Sequence, residues 1–189
     1  MAVLSPELRA KADEIKARYP DARSAMMPLL YLMQSVEGHV SRDGLQEVAD
    51  ILGLRTAEVE AVATFYTMIR LQPTGQWLVS VCTNLSCALL GGRHLYEHAA
   101  KELGPDAAHG ATDDGLFSLH EEECLGACEG APVVQVNFLN YDRMDEERLT
   151  ELLEGCRRGE PPSAARGGSP PGFKETSAVL AGLGERADA

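Results

Sequence analysis

Two pairs of cysteines constrain the fold of this sequence more than any other feature. Each pair follows directly on an apolar run that predicts a β-strand, and the spacings are C-x4-C and C-x3-C. The four members are Cys82, Cys87, Cys124 and Cys128. Four thiols on two loops suit a metal ion or an iron–sulfur centre with Cys₄ ligation. Gly126 and Gly130 allow the second loop to approach sulfur closely, because glycine has no Cβ.

The residues alone leave four interpretations of these pairs. The first is a [2Fe–2S] cluster with two ligands from each loop. The second is structural zinc, which prefers C-x2-C knuckles but tolerates spacings up to C-x4-C. The third is a redox-active dithiol, although its usual C-x-x-C at a helix N-terminus is missing. The fourth is inert buried thiols, which the clustering in glycine-bearing loops disfavours. Cys156, the fifth cysteine, has no companion nearby and is interpreted as a small apolar residue or spare thiol.

Acidic residues are concentrated in the same part of the chain as the cysteines. The 189 residues carry a net charge of −12, and residues 76–160 hold 16 acidic and six basic side chains. Nucleic-acid binding needs a basic surface that meets the phosphates. The charge distribution therefore argues against a nucleic-acid partner.

The sequence predicts a cytoplasmic protein. Its first residues lack the basic and apolar regions of a signal peptide, and no apolar run approaches the ~20 residues that a membrane helix needs. In the cytoplasm thiols stay reduced, so paired cysteines bind metal more often than they form disulfides.

Residues 1–75 predict a helical N-terminal domain, because apolar side chains recur with the helical period. Two helices joined by a short glycine turn also outline a DNA-binding helix-turn-helix. The second of them, however, carries Glu58 and Glu60 and no Lys or Arg, so it would repel DNA. A plain helical bundle is favoured. Its helices are expected over about 6–18, 24–37, 41–52 and 56–68, with Ser41 and Thr56 as N-caps.

Residues 76–158 predict a small α/β sandwich of the thioredoxin-like kind. A turn cluster at 71–75 marks the boundary, after which the apolar period changes to 2, as is typical of strands. The order of elements is β-α-β followed by β-β-α. Strands are expected over 77–81, 116–120, 133–137 and around Tyr141, with helices from behind Cys87 to about Leu103 and from Asp145 to Gly155.

No catalytic residue is predicted. The sequence contains no Gly-rich dinucleotide loop, no Walker loop and no Ser-His-Asp order. His94 and His98 have a metal-ligand spacing, but they lie on a helix face that we expect to be solvated. A cysteine-ligated centre without a substrate site is typical of an electron carrier.

Residues 159–189 differ in composition from the rest of the chain and form the expected tail. Their many Pro and Gly residues predict a flexible linker. The stretch from Phe173 to Leu183 is apolar but too short to be a stable helix alone. We expect this stretch to become ordered against a partner subunit.

The sequence resembles the small iron–sulfur subunit of respiratory complex I, the bacterial NADH:quinone oxidoreductase. The similarity covers roughly residues 5–160. The spacing of the upstream pair and the 36 residues before the downstream pair also fit. The segments that carry the resemblance are Asp114-x-x-Phe117-Ser118, five residues further on Cys124-Leu125-Gly126-x-Cys128-x-x-Ala131-Pro132, and in the helical part Met27-Pro28-Leu29-Leu30 and Val62–Met68.

The resemblance implies a thioredoxin-like ferredoxin domain that holds one [2Fe–2S] cluster on Cys82, Cys87, Cys124 and Cys128. It also implies that FMN and NADH bind to a larger partner subunit, and that this chain reaches the membrane only through the complex and its other peripheral-arm subunits. Two alternatives remain at this stage. One is the same module in an NAD-linked hydrogenase or formate dehydrogenase, and the other is a zinc-stabilised interaction module.

Overall fold

The computed structural model describes residues 2–184, and these residues form two units. Residues 2–73 together with 174–184 make up the first unit, and residues 74–173 make up the second. The first unit is helical, whereas the second combines a β-sheet with helices. This mixed architecture, with the helical part first, confirms the expected fold class. In the part of the chain that the structure describes, no helix has the length and apolar character needed to cross a membrane.

The N-terminal helices enclose the apolar core of the first unit. Ser5 and Ser41 each begin a helix by accepting a hydrogen bond from a backbone N–H three residues on, that of Leu8 at 3.2 Å and that of Gly44 at 3.1 Å. The cap expected at Ser41 is therefore confirmed. The helices are α1 (Pro6–Ala17), α2 (Met26–Glu37), α3 (Arg42–Leu52) and α4 (Thr56–Phe65), and a 3₁₀ turn over Ala22–Ala25 precedes α2.

Helix α4 differs from the sequence prediction at both ends. Thr56 is not its N-cap; Arg55 occupies that position, and its N–H donates to the Glu58 carboxylate at 3.2 Å. The helix ends at Phe65 instead of Met68, because the chain beyond it turns extended and finds hydrogen-bond partners elsewhere in the unit.

A buried amide provides those partners. The side chain of Gln34 on α2 donates to the carbonyl of Met68 at 3.2 Å and accepts from the N–H of Arg70 at 2.7 Å. It also donates to the hydroxyl of Ser177 at 3.2 Å. Gln34 and Ser177 are both fully buried, so one polar side chain joins three segments that are distant in sequence.

Helix α8 (Phe173–Leu180) belongs to the first unit from Lys174 onward. Besides Ser177, Lys174 holds it through a hydrogen bond to the carbonyl of Val36 at 2.8 Å, and Ala181 is buried in the core. A helix this short depends on such packing. Its expected contact with a partner subunit stays a prediction, and residues 185–189 of the tail, like residue 1, lie outside the described residues.

The second unit is built on a sheet. Its strands are β1 (Trp77–Cys82), β2 (Phe117–Glu122), β3 (Val134–Val136) and β4 (Leu139–Tyr141). They lie in the order β2-β1-β3-β4, with β1 and β2 parallel and the remaining pairs antiparallel. The helices are α5 (Leu85–Leu89), α6 (Gly92–Leu103) and α7 (Glu146–Arg157), with 3₁₀ turns over Pro105–Ala108 and Cys128–Gly130.

Candidate iron–sulfur site

The parallel pairing of β1 and β2 brings the two cysteine loops to one edge of the sheet. Cys82 is the last residue of β1 and pairs in register with Glu122, the last residue of β2. Both following loops therefore leave the sheet at the same edge. The Cys82 sulfur lies 3.9 Å from the carbonyl oxygen of Glu123, so the first cysteine already contacts the second loop.

The first pair of cysteines is buried. Cys82 is 4% and Cys87 2% exposed, and both pack with Ala127 and Val133 of the second loop. Cys87 lies on α5, a short helix that begins at Asn84. Sequence analysis missed α5, because five residues are too few to show a helical period.

Backbone contacts fix the position of this pair. The Cys82 N–H donates to the Val133 carbonyl at 3.1 Å. A Cβ at Gly92 would lie 2.5 Å from the Cys82 carbonyl oxygen and 2.9 Å from that of Cys87, so only glycine fits there. The first loop is thus folded tightly against the start of α6.

Burial raises the pKa of the Cys87 thiol to about 11, and hydrogen bonding to Cys82 and the nearby Cys128 add to the shift. A hydrogen bond from the backbone of Val133 acts in the opposite direction. Thiolates in such a pocket need a compensating positive charge, which a bound metal supplies because it deprotonates the thiols that coordinate it. The Cys87 thiol is thus affected by one cysteine of its own loop and by one of the second loop.

The second pair is exposed. Cys124 and Cys128 both reach the surface, on the loop that follows β2. Gly126 adopts a φ of +68°, and its N–H donates to the Cys124 sulfur at 3.4 Å. Hydrogen bonds of this kind are one of the factors that set the potential of an iron–sulfur centre.

The arrangement has two buried and two exposed thiols, all unpaired. Among residues 2–184, no three or more Cys, His, Asp or Glu side chains surround one metal-ion position. A [2Fe–2S] centre is held by four cysteine thiolates, which is the number that the two loops supply. The donor set fits a cluster of this kind.

Acidic side chains border the site. Glu121 accepts a hydrogen bond from Thr83 at 2.8 Å, which links the end of β2 to the first loop. His120 and Glu122 on the same strand lie 3.0 Å apart. Glu129 follows Cys128 in the second loop. Its carboxylate accepts hydrogen bonds from its own backbone N–H and from the Arg166 guanidinium, and these hold its pKa below the usual range.

The remaining cysteine and the histidine pair lie outside this site. Cys156 lies on α7 and is buried in a core cluster separate from that of the cysteine loops. His98, expected to be solvated, instead lies 2.9 Å from the Thr150 hydroxyl and 3.0 Å from the Glu102 carboxylate, and so joins α6 to α7. His94 is exposed.

Sequence reasoning also missed an apolar surface next to the first loop. Leu85, Leu89 and Leu90 are 71%, 78% and 62% exposed, and they surround Cys87 in the sequence. Three solvated leucines around one buried cysteine form a surface that a helix of this length does not need for its own stability. The sequence does contain an indication of this surface, because the apolar run Ala88-Leu89-Leu90 directly precedes the glycine turn Gly91-Gly92.

A family model, described as thioredoxin-like [2Fe–2S] ferredoxin, matches residues 12–157. The chain belongs to this ferredoxin family. The match includes both cysteine pairs of the ferredoxin, and it ends before the Pro/Gly-rich segment 159–172.

Curated relatives of this ferredoxin carry the name of one enzyme complex. The ferredoxin is 45% identical over 176 residues to a subunit of the NADH-quinone oxidoreductase of Mycobacterium bovis, and the match covers 93% of this chain and 69% of the relative. A subunit of the Rhizobium meliloti NADH-quinone oxidoreductase is 42% identical, with 81% and 90% covered. NADH-quinone oxidoreductase subunit 2 of Thermus thermophilus is 40% identical, with 78% and 83% covered.

Solved structures agree with the fold of this ferredoxin. The chain superposes on a chain of an NAD⁺-reducing [NiFe]-hydrogenase in the H₂-reduced state with a TM-score of 0.56 at 20% identity, covering 85% of this chain and 24% of the other. The air-oxidised state of such a hydrogenase gives a TM-score of 0.54 at 22% identity, with 62% and 20% covered. At this identity the likeness concerns the fold alone.

Proposed function

We propose that this chain is the small electron-carrying iron–sulfur subunit of an NADH:quinone oxidoreductase. One [2Fe–2S] cluster is held by Cys82, Cys87, Cys124 and Cys128. The observation that carries the proposal is the pairing of Cys82 with Glu122, since it brings both cysteine loops to one sheet edge. The names of the relatives support the parent complex.

The residues of the site have distinct roles in this proposal. The apolar pocket around Cys82 and Cys87 excludes water from the inner side. Gly126 supplies an N–H to the Cys124 sulfur on the outer side. When bound, a [2Fe–2S] cluster supplies one-electron transfer. In this proposal the chain acts as an electron carrier within the complex.

The partner is a larger subunit that binds FMN and NADH. The three exposed leucines Leu85, Leu89 and Leu90 form the contact surface for it, which we call the leucine face. Its helix carries Cys87, so docking there brings the partner close to the site, and buried apolar centres are typical of stable interfaces. The glutamates at the site favour a partner with a basic rim. The chain meets the membrane only through this complex and its other peripheral-arm subunits.

Metal analysis of the anaerobically purified chain tests the cluster. We expect iron and acid-labile sulfide in equal amounts at the [2Fe–2S] stoichiometry, and a rhombic EPR signal near g ~2 after dithionite reduction. Zinc without sulfide would refute the proposal in favour of a structural metal module.

Single serine variants test the ligand set. Replacing any one of Cys82, Cys87, Cys124 and Cys128 by Ser is expected to impair the cluster. Cys156→Ser is the control, and it should keep the full iron content because Cys156 lies in a separate core. Loss of iron in that control would show that the ligand set is wrong.

The parent complex is tested by identifying the subunits that copurify with this chain from its native source. They distinguish complex I from a hydrogenase or formate dehydrogenase.

A further inference from the structure

Arg166 contacts the loop that carries Cys128, although it lies beyond the family match at 12–157. One guanidinium nitrogen, Nη2, lies 2.9 Å from the carboxylate of Glu129 and 3.4 Å from that of Asp142. Glu129 directly follows Cys128 in the sequence. A basic residue from the tail thus forms ion pairs at an otherwise acidic site.

The backbone around Arg166 is held in place independently of these ion pairs. The N–H of Ala165 donates to the carbonyl of Asn140 at 2.9 Å, and the Tyr141 hydroxyl donates to the carbonyl of Pro162 at 2.7 Å. The segment expected to be a flexible linker therefore runs along β4. Because the neighbouring backbone is ordered, less conformational entropy is lost when Arg166 pairs with the acids.

Asp142 connects the ion pairs to the backbone of the cysteine loop. Its carboxylate occupies the space that a side chain at position 130 would fill, so it packs directly against Gly130. The N–H of Arg143 also donates to the carbonyl of Gly130 at 2.6 Å. The turn from Cys128 to Gly130 is therefore fastened both through its backbone and through the Arg166 ion pairs.

We propose that Arg166 is a positioning residue for Cys128: it ties Glu129 to Asp142, holds the turn over 128–130 in place, and adds a positive charge beside the site. The inference rests on the proposed [2Fe–2S] function. It assigns a role at the site to a segment outside the matched region.

Three measurements on the full, cluster-loaded chain test this role in Arg166→Gln. The cluster's midpoint potential is expected to fall, because removing a positive charge disfavours the added electron. Loss of iron to a chelator and hydrogen exchange at amides 128–131 are expected to accelerate by about two- to fivefold, as befits exposed ion pairs. Arg166→Lys keeps the charge and should restore the midpoint.

Arg158→Gln is the matched control. Its side chain is 63% exposed, against 64% for Arg166, and it pairs with Glu154 of its own helix at 3.9 Å. Equal falls in potential in the two Gln variants, with wild-type exchange at 128–131, would overturn the inference, since Arg166 would then act only through net charge.

A double variant tests the path through Glu129. If Arg166 acts on Cys128 through that carboxylate, amides 128–131 should exchange no faster in the double variant Glu129→Gln/Arg166→Gln than in Arg166→Gln alone. Additive acceleration would contradict the path. A wild-type chain without iron and sulfide would instead overturn the proposed function, and the exchange comparison would still decide whether the turn is held by Arg166.

Discussion

The cysteines of the two loops occupy different environments. Cys82 and Cys87 lie in an apolar pocket, whereas Cys124 and Cys128 are at the surface. At Cys87, burial raises the pKa and so disfavours the thiolate, which a bound cation would stabilise. The outer pair is exposed, and Glu123 and Glu129 stand next to it in the sequence.

Removing the glutamates at the end of β2 is expected to raise the cluster's midpoint potential. Glu121, Glu122 and Glu123 replaced together by Gln would leave less negative charge beside a centre that gains an electron on reduction. In water, a unit charge about 8 Å from the cluster changes the free energy of reduction by ~0.5 kcal/mol, or ~20 mV for one electron. Removing three such charges should therefore shift the midpoint by tens of millivolts. An EPR-monitored redox titration measures it.

The control for this variant is the same charge change on α7. Glu146, Glu147 and Glu151 are exposed and belong to the same unit. Their replacement by Gln should shift the midpoint less. An unchanged or lower midpoint in the first variant would contradict the electrostatic account.

Cys156 is expected to make stability depend on alkaline pH. Burial raises the pKa of its thiol from an ordinary value of 9.0 to about 12, so above pH 9 the unfolded state loses this proton before the folded state does. The stability present below pH 9 then declines between about pH 9 and 12, by at most ~1.4 kcal/mol per pH unit. Urea unfolding of wild type and Cys156→Ala at several pH values measures the difference.

Other buried groups with raised pKa values do not affect this comparison. Cys87 and Tyr141, whose pKa values are also raised by burial, are present in both proteins. Identical alkaline slopes in wild type and Cys156→Ala would show that the Cys156 thiol ionises as freely as in the unfolded chain.

At the level of elements, long and periodic stretches could be predicted from the sequence, and short ones could not. Helix α3 follows from its apolar spacing, and its cap follows from the serine at position 41. Helix α5 exists because Asn84 begins it and Cys87 is buried by the second loop, which lies some 40 residues away in the chain. Strand β2 continues through Glu121 and Glu122, because its ladder with β1 outweighs the low strand preference of glutamate.

Gln34→Ala is expected to destabilise the first unit. The change leaves the Met68 carbonyl and the Arg70 N–H without their amide partner in a buried region. Each unsatisfied group costs about 1–3 kcal/mol, so a loss of roughly 2–4 kcal/mol is expected in denaturant unfolding. Gln46→Ala is the control, since Gln46 bonds Asp50 on an exposed face. Equal effects of the two changes would contradict the structural role of Gln34.

For the whole molecule, the sequence predicted the architecture and that each cysteine pair follows a strand. The ligand set and the domain boundaries given above stay predictions. Arg166 could not be found, because its relation to Glu129 depends on how a Pro/Gly-rich segment runs along β4. Composition predicts flexibility for such a segment, whereas hydrogen bonds to Asn140 and Tyr141 give it a defined course.

Leu89→Ser is expected to weaken binding to the proposed FMN-binding subunit about tenfold, or ~1.4 kcal/mol, since burial of one leucine is worth about 1.5–3 kcal/mol. Titration of the purified subunits measures the affinity, and iron content should be unchanged. His94→Ser, at a similarly exposed position on α6, serves as control. Unaltered affinity of Leu89→Ser would place the contact elsewhere.

The parallel pairing of β1 and β2 also has a consequence for the insertion of the proposed cluster during biogenesis. The loops that follow Cys82 and Glu122 become neighbours only after the intervening crossover, with α5 and α6, has packed on the sheet. Such non-local pairings form late in folding. Under the proposed function, we expect iron and sulfide to enter a chain whose strands have already paired, through the exposed thiols. A cluster bound to both loops would join the two ends of the crossover, and it would stabilise the fold because a ligand that binds only the native state does so.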